Sequence, residues 1–119
     1  DNGLLNLFLI NPETSLLENL VAVHLCRKYG RENVSYYKAD REIDFVVADM
    51  QLAIQVSYSI KGDDTFERET VPLFHFMKNH EGWRSLIITY DEKDTIEKDG
   101  ERIEVVPVWK WLLQPEITL

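Results

Sequence analysis

Cysteine is almost absent from this sequence: Cys26 stands alone, so neither an internal disulfide nor a thiolate metal cage can form within the chain. A reducing, cytoplasmic setting is the simplest expectation. Long hydrophobic runs are missing as well. None approaches the ~18 residues that span a bilayer, and the opening Asp1-Asn2-Gly3 lacks the basic and apolar regions of a signal peptide. No membrane association is expected. Cations are scarce, with 13 Lys and Arg against 21 Asp and Glu, and a net charge of −8 repels phosphate wherever bases do not cluster. Phosphate-loop, dinucleotide-loop and Ser-His-Asp signatures are all missing, which removes an ATPase or a Rossmann-type dehydrogenase from consideration for this stretch. The chain also lacks an initiator Met, which fits a segment of a longer protein. No repeat, low-complexity tract or Gly/Ser linker divides it, so residues 1–119 are expected to form a single domain.

What remains is enough for one core: 119 residues, of which 45% are hydrophobic. Asn11-Pro12-Glu13 is a helix-start pattern, and Leu17, Leu20, Val21, His24 and Leu25 recur at helical spacing up to Gly30, predicting a helix over about 12–29. Runs rich in β-branched and aromatic residues predict strands over 34–38, 43–48 and 52–58, the first two joined by a turn at Ala39-Asp40-Arg41. Asp63-Asp64-Thr65 can cap a second helix reaching about His80, and Pro72 inside it predicts either a kink or a later start. A buried strand over 85–90, an Asp99-Gly100 hairpin and a short helix carrying Trp109, Trp111, Leu112 and Leu113 complete the order. The expected fold class is α/β, a mixed central sheet flanked by helices.

One acid is oddly placed. Asp44 sits between Ile43 and Phe45 in an apolar strand, and a carboxylate there needs a partner. Glu18 lies among Leu17 and Leu20 of the first helix, while Gln55 and Ser57 project from one face of the third strand. In this arrangement the sequence resembles the PD-(D/E)XK nuclease-like fold. More narrowly, Asp1-Asn2-Gly3-Leu4-Leu5, Leu17-Glu18-Asn19-Leu20-Val21, Glu42-Ile43-Asp44-Phe45-Val46, Ile54-Gln55-Val56-Ser57-Tyr58 and Arg68-Glu69 are similar to the uncharacterised C-terminal domain of bacterial and archaeal AAA-type ATPases.

The resemblance implies a restriction-endonuclease-like core in which Glu18 and Asp44 would hold Mg²⁺ or Mn²⁺, with Gln55 as a weak third ligand. It departs twice from the nuclease pattern: Gln55 stands where an acid is expected, and Ser57 where a lysine is expected. An amide carries no charge for the metal, and a hydroxyl cannot offset a developing anion. The expectation is a catalytically degenerate module for DNA or protein-partner binding. ATP would be handled by an N-terminal ATPase module of the same protein. Two alternatives stay open: an active metal-dependent endonuclease with Lys61 or Arg68 as a displaced cation, and a protein docking or homo-oligomerisation domain using the Trp-rich end.

Plainer roles compete at each position. Ser15-Leu16-Leu17-Glu18 is also a capping box, and Asp44 could pair with Arg41, Lys38 or Arg68. Arg68 and Glu69 suit a structural latch. Arg27, Lys28, Arg31, Lys38 and Arg41 put five bases against two acids over 27–41, with tyrosines interleaved, which suits a nucleic-acid edge or equally a helix terminus and a solvated hairpin. His24, His75 and His80 lack ligand spacing, and the acidic stretch 91–104 is expected to be a solvated hairpin. Trp83, Trp109, Trp111 and Leu113 are expected to form core or a docking stripe.

Overall fold

The computed structural model describes residues 16–37 and 43–114, and the side chains of Tyr36 and Tyr37 are outside that description. Helix α1 (Leu16–Tyr29) ends where the sequence predicts. Gly30 takes φ 90°, its N–H donates to the Cys26 carbonyl at 2.9 Å, and Asn33 Nδ2 donates to the Tyr29 carbonyl at 2.7 Å. The positive φ is what favours glycine there; a Cβ would also meet Glu32 Oε1 at 2.6 Å, the tip of an exposed side chain that can swing aside.

Strands β1 (Val34–Tyr37), β2 (Ile43–Val47) and β3 (Leu52–Val56) follow as an antiparallel meander. The turn Ala48–Met50, closed by Gln51 at φ 50°, takes the last residue that the sequence assigns to β2. Helix α2 (Asp63–Asn79) crosses to β4 (Arg84–Thr89), and β5 (Asp94–Lys98), β6 (Glu101–Pro107) and α3 (Val108–Leu113) close the order. The sheet runs β1-β2-β3-β4-β6-β5 and is mixed: β3, β4 and β6 are parallel neighbours, while β5 pairs antiparallel with β6.

Helices cover both faces. Val21, Ala22 and Leu25 of α1 and Val108 and Trp111 of α3 pack on Phe45, Leu52, Ile54 and Ile88. On the other face Leu73, Phe76 and Met77 of α2 pack on Ala53, Ile87, Ile103 and Val105. The expected α/β class therefore holds. At roughly 25 cal/mol per Å² of apolar burial, these two layers supply the driving force that positions everything below.

Three local expectations need correction. Helix α2 starts at Asp63, not later: Phe66 N–H already donates to the Gly62 carbonyl at 2.9 Å, and Pro72 sits well inside. The buried side chains on either side of it, Thr70 and Leu73, hold the helix across the bond that proline cannot make. Asp63 and Asp64 are first-turn residues beside the helix dipole, because Gly62 is the cap and no side chain caps it. The tryptophans do not form one stripe: Trp83 packs edge-on against Phe76 on the α2 face, Trp111 is buried against His24 on the other, and Trp109 is 57% exposed.

No helix among the described residues is long and apolar enough to cross a membrane. The turn at 39–41 and the residues before Leu16 lie outside the described residues.

Candidate functional site where β2 meets β3

Backbone pairing between β2 and β3 runs through Val47↔Leu52, Val46↔Ala53 and Phe45↔Ile54. The next pair in register is Asp44 and Gln55. There the side chains take over: the Asp44 N–H donates to Gln55 Oε1 at 2.9 Å, and the Val56 N–H donates to Asp44 Oδ2 at 2.8 Å. A side-chain oxygen thus replaces the partner strand's carbonyl on one side, and a carboxylate replaces it on the other. This is the physical reason the β2–β3 ladder stops at Phe45.

Gln55 is 1% exposed, and its oxygen serves a backbone donor that would otherwise be an orphan. Ser57, two residues on, donates its hydroxyl to the Ser59 carbonyl at 2.7 Å. The sequence-predicted trio Asp44, Gln55 and Ser57 is therefore brought to one place, with each side chain engaged by nearby backbone.

Glu18 is in the first turn of α1 and half-buried, three, four and seven residues before the core residues Val21, Ala22 and Leu25. It shares their sheet-facing stripe. The carboxyl end of α1 connects through Arg31–Asn33 to the start of β1, which is paired with the end of β2. The helix therefore runs back toward the end of the sheet where β2 begins and β3 finishes, the end that carries Asp44, Gln55 and Ser57.

The donor set does not suit a hard divalent ion. Mg²⁺ favours anionic oxygens with free lone pairs, whereas one Asp44 oxygen is used by the Val56 N–H and the neighbouring donor is a neutral amide already bonded to Asp44. Among the described residues there is no group of three or more His, Cys, Asp or Glu arranged for a metal.

The displaced-cation candidates fall elsewhere. Arg68 is exposed on α2 and pairs with its neighbour Glu69 at 3.5 Å. Lys61 is exposed beyond β3, its backbone N–H on Ser59 Oγ at 3.0 Å. Of the basic cluster, Arg27 and Lys28 line a shallow hollow of about 380 Å³ with His24, Leu112, Leu113 and Gln114, and Lys28 Nζ lies 5.4 Å from the Tyr29 ring centroid. Burial, then the Lys28 and Arg27 charges, hold the His24 imidazole below its ordinary range. Arg31 is exposed in the following turn, and Lys38 and Arg41 lie outside the described residues.

One constellation has no counterpart in the sequence-predicted set. Glu92 accepts from Ser59 Oγ at 2.6 Å and from the Ile60 N–H at 2.9 Å, while the Glu92 N–H donates to Thr89 Oγ1 at 2.9 Å. Burial pushes the Glu92 carboxyl up, but these two hydrogen bonds and the Lys61 charge outweigh it and hold the group below the ordinary carboxylate range. The Thr89-x-x-Glu92 spacing was a usable signal, masked by the acidic residues around it. Elsewhere in 91–104 the hairpin is solvated along β5 as expected, but Ile103 of β6 is fully buried in the core under α2 and Ile96 packs against that core.

No family model matches this sequence, and no solved structure matches it. It is similar to an uncharacterized protein of Methanocaldococcus jannaschii, 34% identical over 108 residues, an alignment covering 82% of this chain and 24% of the relative. The chain thus spans about a quarter of the length of that curated relative.

Proposed function

We propose that this chain is a degenerate nuclease-like domain that binds a partner rather than cutting nucleic acid, and that it serves as the accessory domain of an AAA-type ATPase in the cytoplasm. The observation that carries this is the engagement of the would-be catalytic groups: Asp44 and Gln55 are both tied to backbone amides across β2 and β3. The order α-β-β-β-α-β and the placement of Glu18, Asp44, Gln55 and Ser57 toward one end of the sheet support a restriction-endonuclease-like ancestry. Loss of one electrostatic stabiliser commonly costs ~10²–10³ in rate, and here the acid and the cation are both replaced. ATP binding and hydrolysis would belong to an ATPase module elsewhere in the longer protein.

Calorimetric titration with Mn²⁺, side by side with Asp44→Ala, tests this directly. The expected result is no saturable binding at millimolar metal and no cleavage of plasmid DNA. Mn²⁺-dependent cleavage abolished by Asp44→Ala would overturn the proposal and favour the active endonuclease, whose cation would then be sought at Lys61 or Arg68.

Partner binding through protein contacts is favoured by a specific feature. Leu16 and Leu20 on α1 and Trp109 and Leu113 on α3 are exposed, Leu16 at 82% and Leu113 at 77%, in the layer that covers one face of the sheet. Affinity for a protein partner docked there should change little with salt, whereas a steep fall would indicate phosphate contacts.

A further inference from the structure

Helix α1 ends on Arg27 and Lys28, neither of which forms an ion pair among the described residues. Nor does the helix end need them: the Cys26 and Tyr29 carbonyls there are already bonded, to the Gly30 N–H and to Asn33 Nδ2. Both cations instead line the shallow hollow between α1 and α3, to which α3 contributes Leu112 and Leu113. His24 and Gln114 complete the lining, and His24 is fixed by its edge-on contact with buried Trp111. No carboxylate lines this hollow, although the chain as a whole carries −8.

The apolar part of the hollow is open to solvent. Leu113 is among the most exposed large apolar side chains, and Trp109, also exposed, stands one helical turn before it on α3. On α1 the exposed Leu20 stands one turn before His24, so each helix leads an apolar side chain up to the hollow. A surface that is apolar along two helices and cationic at one end selects a ligand of the complementary build.

We propose that the α1–α3 hollow docks an acidic segment of a partner protein, one apolar side chain of that segment against Leu112 and Leu113 and a neighbouring Asp or Glu carboxylate against Arg27 and Lys28. Apolar contact supplies most of the affinity, and the two cations set the choice of partner. A protein segment fits better than a nucleic-acid strand, because two cations neutralise few phosphates in a chain of this net charge and leucines offer bases no stacking surface. The proposal rests on the reading of this chain as a partner-binding domain and gives that partner its chemistry.

The test is selection of 12-residue peptides from a random display library on the immobilised chain, followed by fluorescence-anisotropy titration of the recovered peptides. Peptides with Asp or Glu within four positions of Leu, Ile, Phe or Trp should be enriched, and their binding should move the His24 ring resonances in NMR spectra of the labelled chain. Arg27→Gln/Lys28→Gln should weaken them about tenfold, the effect of losing two exposed ion pairs, and Leu113→Ala should weaken them by a similar factor. Circular-dichroism melting should stay unchanged in both variants, since Arg27 and Leu113 are exposed and Lys28 is half-buried. Recovery of no peptide, recovery without acidic enrichment, or binding indifferent to both variants would overturn the proposal. Binding of a 15-residue oligo-dT that is tighter than any recovered peptide and sensitive to the double variant would overturn it in favour of nucleic acid. Self-association in sedimentation that the double variant abolishes would overturn it in favour of a second copy. Metal-dependent cleavage in the Mn²⁺ titration overturns the partner-binding reading itself, whereas failure here leaves that reading standing with its partner held elsewhere.

Discussion

Gln55 Oε1 lies 2.9 Å from the Asp44 backbone nitrogen, in the register position just past the last backbone pair of β2 and β3. A side chain there completes the accounting of backbone donors that a sheet normally completes with carbonyls. Asp44 answers with its carboxylate on the Val56 N–H at 2.8 Å. Both side chains act as extensions of the ladder, and the strands can separate beyond them without leaving these two amides unbonded.

Replacing Gln55 by Leu should therefore cost about 1–3 kcal/mol, the range for stranding a buried donor. Gln55→Glu keeps an oxygen for the Asp44 N–H but sets a second carboxylate beside Asp44, so it should also destabilise. The two variants diverge with metal. Millimolar Mn²⁺ should raise the melting temperature of Gln55→Glu and leave Gln55→Leu and the parent chain unmoved. If Mn²⁺ does nothing for Gln55→Glu, the geometry around Asp44 is unsuited to a metal even with the acid restored.

Glu92 ties the segment after β3 to the segment after β4 through Ser59 and Ile60. Its folded-state pKa is depressed, so this stabilisation is present above the ordinary carboxylate pKa and is lost as pH falls through the lowered folded value. Glu92→Gln should lower stability at neutral pH by about 1–3 kcal/mol, from the loss of charge-assisted hydrogen bonds, and should flatten the acid limb of the stability profile. Hydrogen exchange at the Ile60 amide is the local check. Unchanged protection in Glu92→Gln would rule out the charged carboxylate as the latch.

The strand and helix order was legible in the sequence because periodicity and punctuation agree: Gly30 and Asp99-Gly100 sit where element boundaries fall, and the apolar run around Ile54 lies inside β3. Two strand ends that shifted lie at Ala48, taken by the Ala48–Met50 turn, and after Val56, where Ser57 turns its hydroxyl onto the Ser59 carbonyl. Nothing in the local pattern distinguishes a glutamine that replaces a metal-binding acid from one that caps a strand, since both are polar residues in an apolar run. The stacking of the Tyr58 and Tyr90 rings joins residues 32 positions apart and depends on β3 and β4 being parallel neighbours, which sequence spacing alone does not encode.

His24 sits edge-on to Trp111, ring centroids 4.7 Å apart, and burial, Lys28 and Arg27 all disfavour its charged form. The unfolded chain then binds a proton more readily than the folded one. Its contribution is present above the ordinary value of about 6.5 and is lost as pH falls through the lowered folded value. His24→Gln should remove that share of the decline, so melting temperatures measured from pH 7.5 to 5.5 should fall less steeply in the variant. Parallel profiles for the two proteins would place the imidazole outside this linkage.

The β5–β6 hairpin turns through Asp99 at φ 53° and Gly100 at φ 82°, a two-residue turn with both residues left-handed, which matches the twist of the flanking strands. A Cβ at Gly100 would meet nothing within 4 Å, so Gly100→Ala isolates backbone strain from crowding. The expected loss is about 1–2 kcal/mol, the cost of a left-handed conformation for an L-residue. Asp99→Asn should be neutral or slightly stabilising, since Asn tolerates that region well and Asp99 forms no ion pair among the described residues. Because β5 is a largely exposed edge strand, the strain can also be released by local fraying, and the two routes separate by experiment. Global strain lowers the denaturant midpoint of the whole chain. Fraying leaves that midpoint in place and abolishes exchange protection only in 94–102.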